Sequence, residues 1–274
     1  MKIYHYTTIE TLALILESKC IKFSRLDMLD DKTESEPFSV FNPLQYIFSS
    51  SYTYDDSENI PLWKMYANME TGIRIEFDTD TMFSPGWKKL IAPPHNQEIC
   101  ELPPFLYTSI LSEDILNSDY LLCYWNRTDS DTISDCIIKI KKIEYKDNFI
   151  EIYKSKLNIN GINKINSIER NISYNPTDFG FYKSKYWEFQ KEIRLLIYSS
   201  PFPKDENEIS KIVSGKRELK TISIFVPLSE KCLQNIKITL SPKVSKASRI
   251  IVKALLSQYP NAEVVDSCLH GTIR

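Results

Sequence analysis

The spacing of apolar positions changes twice before residue 25. Lys2–Tyr6 alternates in the manner of a half-buried strand. Leu12, Ile15 and Leu16 then recur on one helix face, after a threonine pair, Thr7/Thr8, that can cap a helix, with Glu10 placed to complete a capping box. Ile21–Ser24 reads as a second short strand. "LQYIFSSSYTY" reads as an aromatic strand ending in serines, and "IPLWKMYANM" has helical spacing, with Leu62, Met65 and Tyr66 on one side. "GIRIEFDTD" sets Ile73, Ile75 and Phe77 against Arg74, Glu76 and Asp78, a half-buried strand entered through Gly72.

Further along, proline-bearing residues 83–106 read as a connection and Glu113–Tyr124 as a helix. "DCIIKIKKIEYKD" reads as a strand. The lysine- and asparagine-rich residues 145–176 read as an insertion that is helical in part. Trp187–Leu196 reads as a strand that places Gln190, Glu192 and Arg194 on one face and Phe189, Lys191, Ile193 and Leu195 on the other. "RELKTISIFVPLS" is another strand, and the last forty residues read as strand, helix, strand. Between these elements, Leu26–Pro37 ("LDMLDDKTESEP") is acidic and turn-like, and its spacing is not that of a calcium loop. The order predicts one α+β domain over residues 1–274, with mixed, split sheets flanked by helices and an insertion over about 145–176.

Composition narrows this picture. The chain has 274 residues, 42% hydrophobic and 26% charged, which is globular, and a net charge of −2 offers no bulk attraction to nucleic acid. No run reaches the length of a membrane helix, and the first residues lack the pattern of a secretory signal. Six cysteines without a CxxC pair and three scattered histidines point to reduced thiols, a cytoplasmic setting and no metal centre. No glycine-rich phosphate loop is present. A polar Gln–Glu–Arg row on an apolar strand is costly when buried unpaired and favourable when it lines a cleft, which makes Gln190, Glu192 and Arg194 candidate site residues.

Three separated segments carry a resemblance. "IYHYTTIETLALILESKCIKFSRLDMLDDKTE", "YIFSSSYTYDDSENIPLWKMYANMETGIRIEFD" and "YKSKYWEFQKEIRLLI" resemble, in that order, the signatures of the bacterial domain of unknown function 2971. The chain departs from that pattern at Gln190, where the family has an acidic residue. It departs also at Met65, where a histidine is common, and at Asp30–Asp31–Lys32, in place of asparagine–aspartate–proline. The family name implies no activity. The same landmarks are also similar to the His-Tyr-Glu branch of the ADP-ribosyltransferase fold, and that resemblance implies NAD as co-substrate.

It places His5 on an NAD ribose and Glu192 on the nicotinamide ribose 2′-hydroxyl. Gln190, two residues earlier, stands at a position that orients the acceptor. Tyr66, or else Trp63, takes the nicotinamide-stacking place. Tyr6, Ser49 and Arg194 complete the expected cofactor contacts, Ser49 through ribose or the amide and Arg194 by keeping Glu192 ionised. The resemblance further implies a toxin or anti-phage effector that modifies a macromolecule and is restrained by an antitoxin or chaperone partner. The basic, aromatic-bearing stretch Lys139–Lys164 favours RNA or another nucleic acid as acceptor. Two other readings stand beside it: a magnesium-dependent nuclease using Asp30, Asp31, Glu34 and Glu192, and a non-catalytic module that senses a nucleotide or a phage protein.

Overall fold

A computed structural model describes residues 1–34, 38, 41–83, 120–122, 138–164, 167–201, 211 and 221–272. It opens as its periodicity predicts. Strand β1 (Lys2–Thr8) runs into helix α1 (Ile9–Ser18), whose N-cap is Thr8, accepting from the Thr11 amide at 3.3 Å. Glu10 therefore stands one place short of the position that would complete a capping box. Strand β2 (Cys20–Arg25) follows, then two 3-10 turns, Leu26–Met28 and Lys32–Glu34, then β3 (Ile47–Thr53).

The predicted helix after β3 is only partly regular. One turn, α2 (Ile60–Leu62), widens into a π-helical turn over Trp63–Ala67, closed by the Asn68 amide on the Trp63 carbonyl at 2.8 Å. Asn68 then adopts φ 84°, and strand β4 (Gly72–Asp78) starts so close behind it that a Cβ on Gly72 would lie 2.3 Å from the Asn68 carbonyl oxygen.

Of the helix expected over Glu113–Tyr124, only residues 120–122 are described, and they form strand β5 (Tyr120–Leu122) against a later strand. The predicted connection 83–106 lies, after Phe83, outside the described residues. Strands β6 (Ile138–Lys142) and β7 (Glu144–Tyr145) lead to helix α3 (Phe149–Lys156). The rest of the expected helical insertion is a hairpin, β8 (Asn158–Lys164) paired antiparallel with β9 (Ser167–Ser173). Its isoleucines are β-branched, and its asparagines and Gly161 disfavour a helix interior, so extended pairing wins.

The segment expected to be one strand from Trp187 is broken. After β10 (Tyr182–Lys183), a 3-10 helix occupies Lys185–Gln190, capped by the Ser184 hydroxyl. Lys191 turns the chain at φ 43°, and β11 (Glu192–Pro201) begins only there. Gln190 thus sits on a helical turn, not on the strand with Glu192. The remaining elements are β12 (Ser223–Pro227), α4 (Glu230–Gln234), β13 (Lys237–Leu240), α5 (Lys246–Leu255) and β14 (Glu263–Val265), the last three as predicted.

The architecture is α+β. A ten-stranded mixed sheet runs β12-β2-β3-β1-β4-β13-β14, with β11 along the other edge of β3 and β5 and β6 against β11. Ile3, Ile73, Ile75, Phe77, Ile193 and Leu195 belong to the main core on one sheet face, with α1 and α5 contributing Leu12 and Val252 to it. Among the described residues no helix is long and apolar enough to cross a membrane.

Candidate functional site

The site starts from an imperfection in the sheet. Strand β3 pairs with β11 from Ile47 to Thr53 on one edge. On its other edge β2 reaches only Phe48 and Ser49, and β1 meets only Thr53. Among the described residues Ser50, Ser51 and Tyr52 therefore have no strand beside them there, and β1 and β2 frame a notch. His5 fills part of it: Nδ1 lies 3.1 Å from the Ser51 carbonyl, and its ring packs on Tyr52 at 5.3 Å. A carbonyl accepts only, so Nδ1 carries the proton and Nε2 is left as an acceptor. Burial lowers the His5 pKa, against the opposing effect of the Ser51 carbonyl, and favours the neutral ring.

A cleft of about 700 Å³ opens at this notch. Strand alternation puts His5 with Tyr52 on the core face of the sheet, and Tyr6, Ser51, Glu192 and Arg194 on the opposite face. The cleft reaches both, because the notch interrupts the sheet between them. His5, Tyr6, Ser49, Tyr66, Gln190, Glu192 and Arg194 all line it. Trp63 does not: it is fully buried, edge-on to Tyr6 at 4.9 Å, with Nε1 donating to Glu58 at 2.9 Å. Of the two aromatic residues expected to stack on a ligand, Tyr66 faces the cleft and Trp63 sits behind its wall.

The floor is a closed ionic network. Arg194 Nε donates to Glu192 Oε1 at 2.7 Å. Its Nη atoms donate to both oxygens of Glu34, at 2.7 and 2.8 Å, and one of them also to the Gly180 carbonyl at 3.1 Å. Lys183 Nζ donates to Glu192 Oε2 at 3.1 Å and to Gln190 Oε1 at 2.9 Å, and lies over the Trp187 ring. Because lysine can only donate, the Gln190 amide must turn its oxygen to Lys183. Its Nε2 then donates to the Tyr66 hydroxyl at 2.7 Å, and the Tyr66 proton is free for another acceptor. Tyr145 accepts from the Glu192 amide at 2.8 Å.

Burial alone would raise the Glu192 pKa. The charges of Arg194 and Lys183 outweigh it and hold the carboxyl at about 2, so Glu192 is an anion throughout the neutral range. Tyr66 is pushed up to about 12, by burial first and by the Glu192 and Asp30 charges second, and stays protonated. Arg194 performs the ionising role expected of it, with its donors turned to protein groups.

Three members of this network escaped the sequence reading in these roles: Lys183 and Tyr145 as partners of Glu192, and Glu34 as the partner of Arg194. Within the acidic, turn-like loop Glu34 is 1% exposed and Asp31 9%. The cue for Glu34 was its pairing need, since a buried Arg194 requires a carboxylate; no short-range pattern reveals a partner 160 residues away. Glu34 and Glu192 hold the guanidinium between them, where a nuclease would need an ion. Among the described residues no group of three or more His, Cys, Asp or Glu side chains is arranged to hold a metal.

No curated protein and no solved structure matches the chain. Residues 62–195, which run from the end of α2 through Lys183 and Gln190 into β11, match the family described as "Protein of unknown function (DUF2971)".

Proposed function

We propose that this protein transfers ADP-ribose from NAD to a macromolecule. One observation carries the reading. A single cleft collects Glu192, Tyr66, His5 and Ser49 from segments far apart in the chain, around a notch in a split sheet. Its volume, about 700 Å³, falls in the usual range for small-molecule sites. The fit to a dinucleotide is also chemical. The Ser49 hydroxyl is buried without a partner, Tyr66 offers a ring and an unspent proton, and neutral His5 offers Nε2 to a hydroxyl.

In this reaction the bond between ribose C1′ and the nicotinamide nitrogen breaks, and nicotinamide leaves neutral with the bonding pair. An acceptor oxygen or nitrogen forms the new bond to C1′ and gives up its proton. The ribose passes through a cationic, oxocarbenium-like state, which a fixed carboxylate stabilises. Glu192 is that carboxylate. Arg194 and Lys183 keep it ionised and immobile, and beside its bonds to them and to Ser51 one carboxylate lone pair is left for the 2′-hydroxyl. Gln190, locked between Lys183 and Tyr66, is a positioning residue on the acceptor side.

A nucleic acid suits the surface beside the cleft. Lys141, Lys142 and Lys146 lie over the rings of Phe181, Tyr54 and Tyr182, and Tyr186, next to the cleft residue Trp187, is 91% exposed. Cations with exposed rings follow phosphates and stack bases. A toxin or anti-phage role with a restraining partner belongs to the same proposal.

The test is incubation of the purified protein with NAD labelled on the adenylate, alongside separate pools of RNA, DNA and protein. Label is expected to move to RNA, and Glu192→Gln should reduce transfer about 100-fold or more. Absence of labelled product and of released nicotinamide in every pool would sink the reading.

A further inference from the structure

Charged residues of both signs line the cleft, Asp30, Asp31 and Glu192 with Lys22, Lys183 and Arg194, three of each. Lys183 and Arg194 are committed to Glu34, Glu192 and Gln190, and neither bonds Asp31.

Asp31 stands out within that group. Its Oδ1 accepts from the Thr33 amide at 3.1 Å and the Thr33 hydroxyl at 2.6 Å. Its Oδ2 is buried and has no hydrogen-bond partner, and the residue lines the cleft. Ser49 Oγ, lining the same cleft, is in the same condition. A buried carboxylate oxygen without a donor is costly, and native proteins keep few of them without a reason.

We infer that Asp31 is a ligand-reading residue, completed by an N–H donor on a cationic group that the substrate seats on the floor of the cleft. This rests on the transferase reading, in which that group is the pyridinium carboxamide of oxidised NAD. The carboxamide N–H₂ meets the Asp31 acceptor and its carbonyl meets the Ser49 hydroxyl. The ring's positive charge lies in the field of the Asp31 carboxylate, whose Oδ2 no protein donor meets. The dinucleotide therefore enters nicotinamide first, and its diphosphate stays toward the cleft mouth. Charge also makes the site selective, because the reduced dinucleotide has the same carboxamide and a neutral ring.

Calorimetric titration of the full chain with oxidised and with reduced dinucleotide tests this. The wild type is expected to bind the oxidised form about tenfold tighter, the ratio that 1.4 kcal/mol gives. Asp31→Asn, close in size and neutral, should bring the two affinities within about threefold of each other, well under that spacing. Asp27→Asn, which removes a carboxylate paired with Arg25 outside the cleft, should leave the preference unchanged. Equal wild-type affinities, or a preference that survives Asp31→Asn, would overturn the inference and leave the transferase reading standing. Binding of neither dinucleotide would overturn both. If free arginine binds instead and Asp31→Asn abolishes that binding, the floor recognises a guanidinium and the pyridinium assignment is wrong.

Discussion

On one face of β11, Ile193, Leu195 and Ile197 are at most 1% exposed and belong to the main core. On the other, Glu192 and Arg194 are also buried and are held by ions from two other segments, Lys183 and Glu34. The two faces bury comparable surface by different rules. An apolar side chain is satisfied by any well-packed neighbour, so its partners are interchangeable to first order. A buried guanidinium is satisfied only by acceptors at fixed positions, and losing one partner strands the others. The core face is tolerant and carries stability. The ionic face is intolerant and holds the candidate chemistry.

Breaking the ionic face should give the largest effect. Arg194→Leu leaves Glu34 and Glu192 buried and facing each other, with an expected loss of about 4 kcal/mol in urea unfolding. Adding Glu34→Gln to that variant should return part of the loss, because one stranded charge is removed. On the core face, Leu195→Ala should cost about 3 kcal/mol through transfer and cavity formation, and no substitution of an ionic residue should rescue it. Rescue of both variants, or of neither, would erase the distinction between the faces.

Acid titration sharpens it. Glu192 ionises at about 2 in the folded protein against an ordinary 4.5. The folded state therefore binds fewer protons than the unfolded chain between those values. Its stabilisation is complete above pH 4.5 and is lost as pH falls toward 2, about 3 kcal/mol over that window. His5 acts in a separate window. Its pKa is lowered from 6.5, so the unfolded chain takes up a proton first and stability declines as pH drops below 6.5. Denaturation midpoints measured from pH 7 to pH 3 should thus fall in two stages, and His5→Gln should remove the upper one. The smallest effect belongs to Tyr66→Phe, which deprives the Gln190 amide of its acceptor and should cost about 1 kcal/mol with the fold intact.

The same contrast separates what the chain revealed about itself from what it withheld. Elements written in local periodicity were legible: β1–α1–β2, β4, and the closing β13–α5–β14. So was the gathering of His5, Ser49, Tyr66 and Glu192 in one cleft. The start of β11 was not, because Lys191 adopts a left-handed turn that no apolar pattern marks, and the 3-10 helix before it shares its residues with a plausible strand. The hairpin of β8 and β9 was missed because the helical pattern of Phe149–Lys156 was carried on into it, past the asparagines and Gly161 that oppose a helix interior. Trp63 looked like a stacking residue because its spacing beside Tyr66 is helical; the π-helical turn rotates it into the interior. The commitment of Glu34 to Arg194 is a contact at long range, and it was invisible until the chain folded.

That contact also sets when the cleft can be completed during synthesis of the chain. The carboxylates of the acidic loop leave the ribosome early, while Lys183 and Arg194 follow some 150 residues later, and Arg194 is bonded to Glu34 across 160 positions. A nascent chain that ends before β11 has no floor to its cleft and nothing to hold Glu34 inside. The cleft is thereby completed only after most of the chain has been translated.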